Sequence, residues 1–338
     1  MIPEKLTYIG QLAPGETCRM RLDCLKQLYP ECEFTGIDTL IPLHKCPRLW
    51  RSIGWRYKIG PLIKMMNEYL LANLPEEKQD MIWVDKGIFF TSETMSILRE
   101  KAKKLVHYTP DPAFTYHRSR YFFQSIPLYD YLITTKSFEL DYYTSSAGNR
   151  DKVLYATQGY QANLHRPLTE FAKKNGVIFI GHYEKEREKI IAELIKSGIE
   201  VKLAGIKWTG FVKKYNCKNL TYLGNGLFGE DYVRAVSAAL FGFGSISKWI
   251  PEKHTTRTFE IPACGTALLT EKNDEIMTFF CDDEVIYYND VADMIEKIKY
   301  YSAHRDELQK LTERGRARVI ADRRDYLGIM QKLMDEIR

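Results

Sequence analysis

The chain has 338 residues, 45% of them apolar and 28% charged, with a formal net charge of +5. At roughly 100–200 residues per domain this suggests about two domains, and the balance excludes wholesale disorder, collagen and a long coiled coil. An isoelectric point near 8.6 falls short of the strongly basic value of a duplex-binding protein, so no nucleic-acid partner is expected.

No apolar run has the length of a membrane-spanning helix. The longest, Val236 to Gly244, contains Ser237 and Gly242 and reads as a helix end running into a buried strand. The opening MIPEKLTYIG lacks a basic segment followed by an apolar one, and the seven scattered cysteines form no C-x-x-C pair. Neither a secretory signal, a zinc site nor a disulfide frame is expected, and a reduced cytoplasmic setting fits best.

In chain order, Leu6–Gly10 is a short β-type run, followed by a Pro14-Gly15 loop and a helical pattern over Thr17–Leu28 that Pro30 ends. Phe34–Ile37, Met81–Val84, Leu105–Tyr108, Tyr131–Thr134 and Val153–Tyr155 read as further strands, with a helix over Thr91–Lys101. After Pro167 the rhythm restarts with a strand at Gly176–Gly181, an amphipathic helix at Glu184–Ser197 and a strand at Gly198–Gly205. Strand, helix, strand alternation implies parallel βαβ units. The repeat argues for two Rossmann-like halves facing each other, with ligands at the carboxyl ends of the strands in the central cleft between them. The expected divisions are 1–157, a linker at 158–172, a second domain at 173–320 and a terminal helix within 321–338.

The dinucleotide and P-loop patterns are absent. Gly10 and Gly15 let the backbone approach a ligand, or simply make a strand-to-helix turn. The informative segment is Glu252-Lys-His-Thr-Thr-Arg-Thr-Phe-Glu260-Ile-Pro-Ala-Cys-Gly265. If a helix begins near Thr256, its free amides, Thr255, Thr256 and Arg257 form a diphosphate site, and Glu260 reaches a sugar hydroxyl one turn on. The same residues also suit a capped surface helix with a solvated charge cluster.

This segment resembles the E-x7-E region of retaining GT-B glycosyltransferases. It is closer still to the spore-maturation (CgeB-like) glycosyltransferases, as are Trp83–Gly87, Val106–Asp111, Ile126–Asp130, Thr134–Ser137, His165–Pro167 and Phe179–Arg187. The resemblance implies an α/β GT-B fold whose C-terminal domain binds a nucleotide sugar, UDP- or GDP-linked, with no metal and no other cofactor. The acceptor would be a glycan, a lipid-linked sugar or a protein, as in bacterial surface polysaccharide or glycoconjugate synthesis. Glu260 would contact the ribose and Glu252 would lie near the donor sugar. Arg257 and Lys248 would neutralise phosphate, and the helix at Tyr326–Ile337 would cross back to the N-terminal domain. Relatives carry an acidic residue where this chain reads Gly159-Tyr-Gln-Ala-Asn163, so that acid's role lapses here.

A retaining transfer would let the leaving diphosphate take the acceptor's proton. An inverting one would need a general base, for which His107 and Asp111 are the candidates. Gly181 and His182, at a strand end, are candidates for touching donor phosphate or sugar. From Thr39 to Asn67 there is no Asp or Glu, and Lys45, Arg48, Arg51, Arg56, Lys58 and Lys64 alternate with Trp50, Trp55 and Tyr57. This stretch suits peripheral contact with an anionic inner membrane face, a lipid diphosphate or an acidic glycan, and equally a helix pair with a solvated basic face. A sugar-nucleotide epimerase and a non-catalytic sugar- or lipid-binding module are the competing readings.

Overall fold

A computed structural model describes residues 3–337 and divides the chain into two compact units, Met1–Thr157 with Tyr326–Arg338, and Gln158–Asp325. The first unit is built on β1 (Lys5–Gly10), β2 (Glu33–Asp38), β3 (Gln79–Asp85), β4 (Ala102–Thr109), β5 (Tyr131–Thr134) and β6 (Val153–Tyr155). They form one parallel sheet in the order β2-β1-β3-β4-β5-β6. Strands of such a sheet are covered on both faces and therefore lack polar alternation. Met81-Ile-Trp-Val84 of β3 and Leu105–Thr109 of β4 are accordingly buried without interruption.

Tyr8, Trp83 and Tyr108 stack in a row across β1, β3 and β4, with centroids 6.2 and 5.9 Å apart. Above them lies the wholly buried Arg21, its guanidinium 4.2 Å from the Tyr108 ring and 2.6 Å from Asp85. The Tyr8 hydroxyl donates to the same carboxylate at 2.7 Å. The helix Tyr326–Glu336 packs on the helix Thr17–Leu28 that carries Arg21, and the Tyr326 ring lies 5.9 Å from the guanidinium. One buried ion pair thus joins the sheet to both ends of the chain.

The second unit holds β7 (Val177–Ile180), β8 (Val201–Ala204), β9 (Leu220–Tyr222), β10 (Phe241–Phe243), β11 (Ala267–Glu271) and β12 (Ile286–Tyr288). These pair in parallel in the order β12-β11-β10-β7-β8-β9. Val236–Gly244 does run from the helix Gly229–Ser237 into β10. The segment 158–172, expected as a linker, packs on this unit. The Leu168 and Thr169 amides donate to Ser237 Oγ, and Arg305 donates to the Phe171 carbonyl at 3.0 Å. No helix among the described residues is long and apolar enough to cross a membrane.

Removing one partner of a buried ion pair strands the other charge and costs about 3–5 kcal/mol. Arg21→Met is therefore expected to lower the urea unfolding free energy of the first unit by about that much. A loss near the roughly 0.5 kcal/mol of an ordinary surface change would contradict the anchoring role of the pair.

Candidate active site

In parallel α/β sheets the loops after the strands converge at their carboxyl ends. In the second unit the neighbours β7 and β10 end at Gly181 and Gly244, and the loops that follow carry the charged residues. Gly181 has a packing role there. A Cβ on it would lie 2.8 Å from the Phe179 ring, Trp208 Nε1 donates to its carbonyl at 2.8 Å, and Gly205 abuts it. His182 keeps 57% of its side chain exposed and places Nε2 2.9 Å from Glu184 Oε1.

The centre of this loop cluster is Arg187, on the first turn of the helix Lys185–Lys196, and its side chain is only 3% exposed. Its Nη1 lies 2.8 Å from Glu184 Oε1 and donates to the His182 carbonyl at 3.0 Å, and its Nε donates to Ser245 Oγ at 3.2 Å. Burial pushes this guanidinium down to about 10; Glu184 and Glu252 act to keep it charged, while Arg257 pushes it further down. His182 is lowered as well, by burial and by both arginines. Glu252 and Arg257 of the E-x7-E segment thus both act electrostatically on Arg187, and the buried Nε of Arg257 has no hydrogen-bond partner among the described residues. Two guanidinium groups feel one another's charge, and Arg257 has unused donor capacity.

The rest of the segment is held by its own contacts. His254, buried, accepts the Gln158 amide on Nε2 at 2.9 Å and donates from Nδ1 to Glu275. Asn273 bonds the Lys253 carbonyl at 3.0 Å. These contacts fix the loop before the helix Arg257–Ala263, which starts where the sequence places it, after Thr256. Glu260, 13% exposed in its side chain, accepts the Tyr232 hydroxyl at 2.8 Å and lies 3.7 Å from His165 Nε2.

Several sequence expectations are corrected. Four of the amides around the start of the helix are taken up locally. Thr258, Phe259 and Glu260 donate to the Thr255 and Thr256 carbonyls, the Thr255 amide donates to Thr258 Oγ1, and Thr256 makes no side-chain cap. A tight first turn satisfies these amides locally. Lys248 is paired with Glu271 at the end of β11 and is not a free phosphate cation.

In the first unit Gly10 closes β1 against its neighbours, since a Cβ would lie 3.1 Å from Asp85 Cβ and 3.3 Å from Cys18 Cβ. His107, on β4, is wholly buried, with its ring 4.6 Å from Phe122 and 5.2 Å from Tyr129 and its Nε2 bonded to the Lys86 carbonyl. Such a ring cannot reach a substrate. Asp111 lies 2.9 Å from Lys86 Nζ. Burial opposes its charge, but Lys86 and His117 outweigh that and hold it below the ordinary carboxylate range. Neither residue has the pKa near neutrality that suits a general base.

The missed residue is Arg187. It stands in the run Lys185-Glu-Arg-Glu-Lys189, which reads as a solvated helix face. The available signal was position: it follows a strand ending in glycine by six residues, in the first turn of the next helix.

The comparisons with known proteins follow the same lines. The family model described as "Glycosyl transferase-like" matches residues 185–335, which include Arg187 and the whole E-x7-E segment. An Anabaena HepE structure in complex with UDP and glucose aligns with a TM-score of 0.62 at 13% identity, over 99% of both chains. An α-glucosyltransferase in complex with UDP and a 13-mer DNA aligns with a TM-score of 0.70 at 13% identity, over 98% of this chain and 99% of that one. The α,α-trehalose 6-phosphate synthase of Burkholderia multivorans aligns with a TM-score of 0.62 at 11% identity, over 100% and 98%. The chain has the GT-B fold of these structures, and its residues 185–335 match the glycosyl transferase-like model. No curated protein sequence matches it.

The burial of His107 has a measurable consequence. Loss of water around the ring pushes its pKa from the usual 6.5 down to about 4. Between those values the unfolded chain binds a proton that the folded chain does not, so this contribution is complete above pH 6.5 and is lost as pH falls towards 4. It amounts to about 2 kcal/mol between pH 7 and pH 5. His107→Phe should flatten the pH slope of unfolding free energy over that interval by the same amount. An unchanged slope would show that the ring protonates in the folded chain.

Proposed function

We propose that the chain transfers a sugar from a nucleoside-diphosphate donor held in the unit Gln158–Asp325. The observation that supports this most is the pair Arg187 and Arg257, two guanidinium groups that repel each other, the second with a buried donor to spare. A diphosphate carries the charge and the acceptor oxygens to bridge such a pair, and planar guanidinium groups bind phosphate in a bidentate manner. The arginines supply the positive charge that a divalent cation would otherwise bring, and the reading is therefore metal-independent. Glu260, oriented by Tyr232, accepts from the ribose hydroxyls, and Glu252 faces the donor sugar. The UDP and UDP-glucose bound in the aligned structures support a uridine donor, with a GDP-sugar as the other candidate.

In the transfer, the bond from the sugar C1 to the β-phosphate oxygen breaks and its electron pair stays on the phosphate. The acceptor oxygen bonds to C1 on the same face, and its proton passes to the leaving oxygen, which retains the configuration. Charge grows on the diphosphate as the bond breaks, and donors preorganised towards that charge supply a large share of the rate. The absence of a suitable base at His107 and Asp111 supports this route over inversion. Glu252 stabilises the positive charge developing at C1.

The first test is a thermal-shift screen with UDP- and GDP-sugars, since a ligand of the folded state raises the melting temperature with concentration. One of them should bind, and Arg257→Gln should weaken that binding about 10- to 100-fold, as expected for a lost charge-assisted hydrogen bond. A donor that binds the variant equally well would contradict the role of the pair. Glu252→Gln should leave donor affinity within a few-fold and slow single-turnover transfer about 100-fold or more. Unchanged transfer by the folded variant would remove Glu252 from the mechanism.

A further inference from the structure

The first unit holds a second cationic site that the donor reading does not use. A cavity of about 660 Å³ is lined by Arg48, Arg51, Arg56, Lys58, His117 and Arg118, without a carboxylate among its walls. A volume of this order suits a small-ligand head group. Among the described residues Arg48, Arg51, Arg56 and Arg118 make no ion pair; Arg56 and Arg118 rest over the rings of Tyr57 and Phe123. The nearby Asp111 is occupied by Lys86. Lys58 caps the helix Arg48–Tyr57 in a left-handed conformation at φ 57°, and burial lowers its pKa. So many cations around one hollow repel each other and call for a multiply charged anion.

The same helix defines what the anion is attached to. At 100° per residue, Arg48, Arg51, Ser52, Trp55 and Arg56 fall on one arc, the arc that lines the cavity. The adjoining arc carries Leu49, Trp50 and Tyr57, which are 68%, 44% and 59% exposed, and Ile59 just beyond the helix is 47% exposed. A cationic hollow beside an exposed apolar strip matches an amphiphile, with its phosphate in the hollow and its chain on the strip. The aliphatic Leu49 and Ile59 of that strip suit an alkyl chain and give a base nothing to stack on, which favours the amphiphile over nucleic acid.

We infer that this cavity binds the phosphate or diphosphate of a phosphorylated lipid, which is the acceptor class of the proposed transfer. The inference rests on that reading for the word acceptor alone; binding is measured without any donor, so the two fail separately. The test is cosedimentation with phosphatidylcholine vesicles doped with a long-chain alkyl phosphate, beside vesicles doped with phosphatidylglycerol at equal surface charge. Inorganic pyrophosphate and a single-stranded oligonucleotide complete the set. The expected result is at least tenfold tighter binding to the alkyl phosphate vesicles than to the phosphatidylglycerol vesicles. Arg51→Gln with Arg118→Gln should abolish that preference, and Leu49→Ser with Trp50→Ser should weaken vesicle binding tenfold, all at the wild-type melting temperature. Equal binding to both vesicles would reduce the site to a diffuse basic surface and overturn the inference. So would tight pyrophosphate binding without vesicle binding, or tighter binding to the oligonucleotide than to the vesicles.

Discussion

Two like charges in a half-dry site are stable only when something of opposite sign lies between or beside them. Arg187 meets this condition in part: Glu184 and Ser245 hold it, the His182 carbonyl accepts one of its hydrogens, and Glu252 lends charge from the E-x7-E segment. Arg257, whose Nε has no hydrogen-bond partner, leaves the balance incomplete. In the proposed reading a bound diphosphate completes it. The proposed chemistry follows, because the charge that the leaving group gains is the charge that this arrangement lacks.

The fold produces the arrangement by putting two adjacent strand ends, β7 and β10, under it. Packing at Gly181, Gly205 and Trp208 draws the chain so close that no side chain fits between, and the helix bearing Arg187 starts directly above. On the other flank His254 joins Gln158 to Glu275 and holds the loop that presents Glu252 and Arg257. The first unit repeats the plan with Arg21 and Asp85, but there the pair is closed and stabilises the sheet and the two chain ends.

Much of this was legible in the sequence, where periodicity is strong. The helix Thr17–Leu28 has the bounds that its apolar spacing indicates, and the strands of the first sheet lie within three residues of their β-rich runs. The start of a helix near Thr256 was legible in the E-x7-E segment. Partners distant in the chain were not. Lys248 looked free because Glu271 is far off in sequence, and the buried ring of His107 looked like a base because a strand end hides its aromatic neighbours. Arg187 was passed over for the opposite reason, since its charged neighbours resemble a solvated face while its own side chain turns inward.

The central claim is that one diphosphate bridges Arg187 and Arg257, and a crystal structure of the chain with UDP tests it most directly. The account predicts diphosphate oxygens at hydrogen-bond distance, about 3 Å, from the Arg187 and Arg257 guanidinium groups, with the ribose hydroxyls on Glu260. A UDP whose phosphates touch neither arginine, or whose ribose lies away from Glu260, would contradict it.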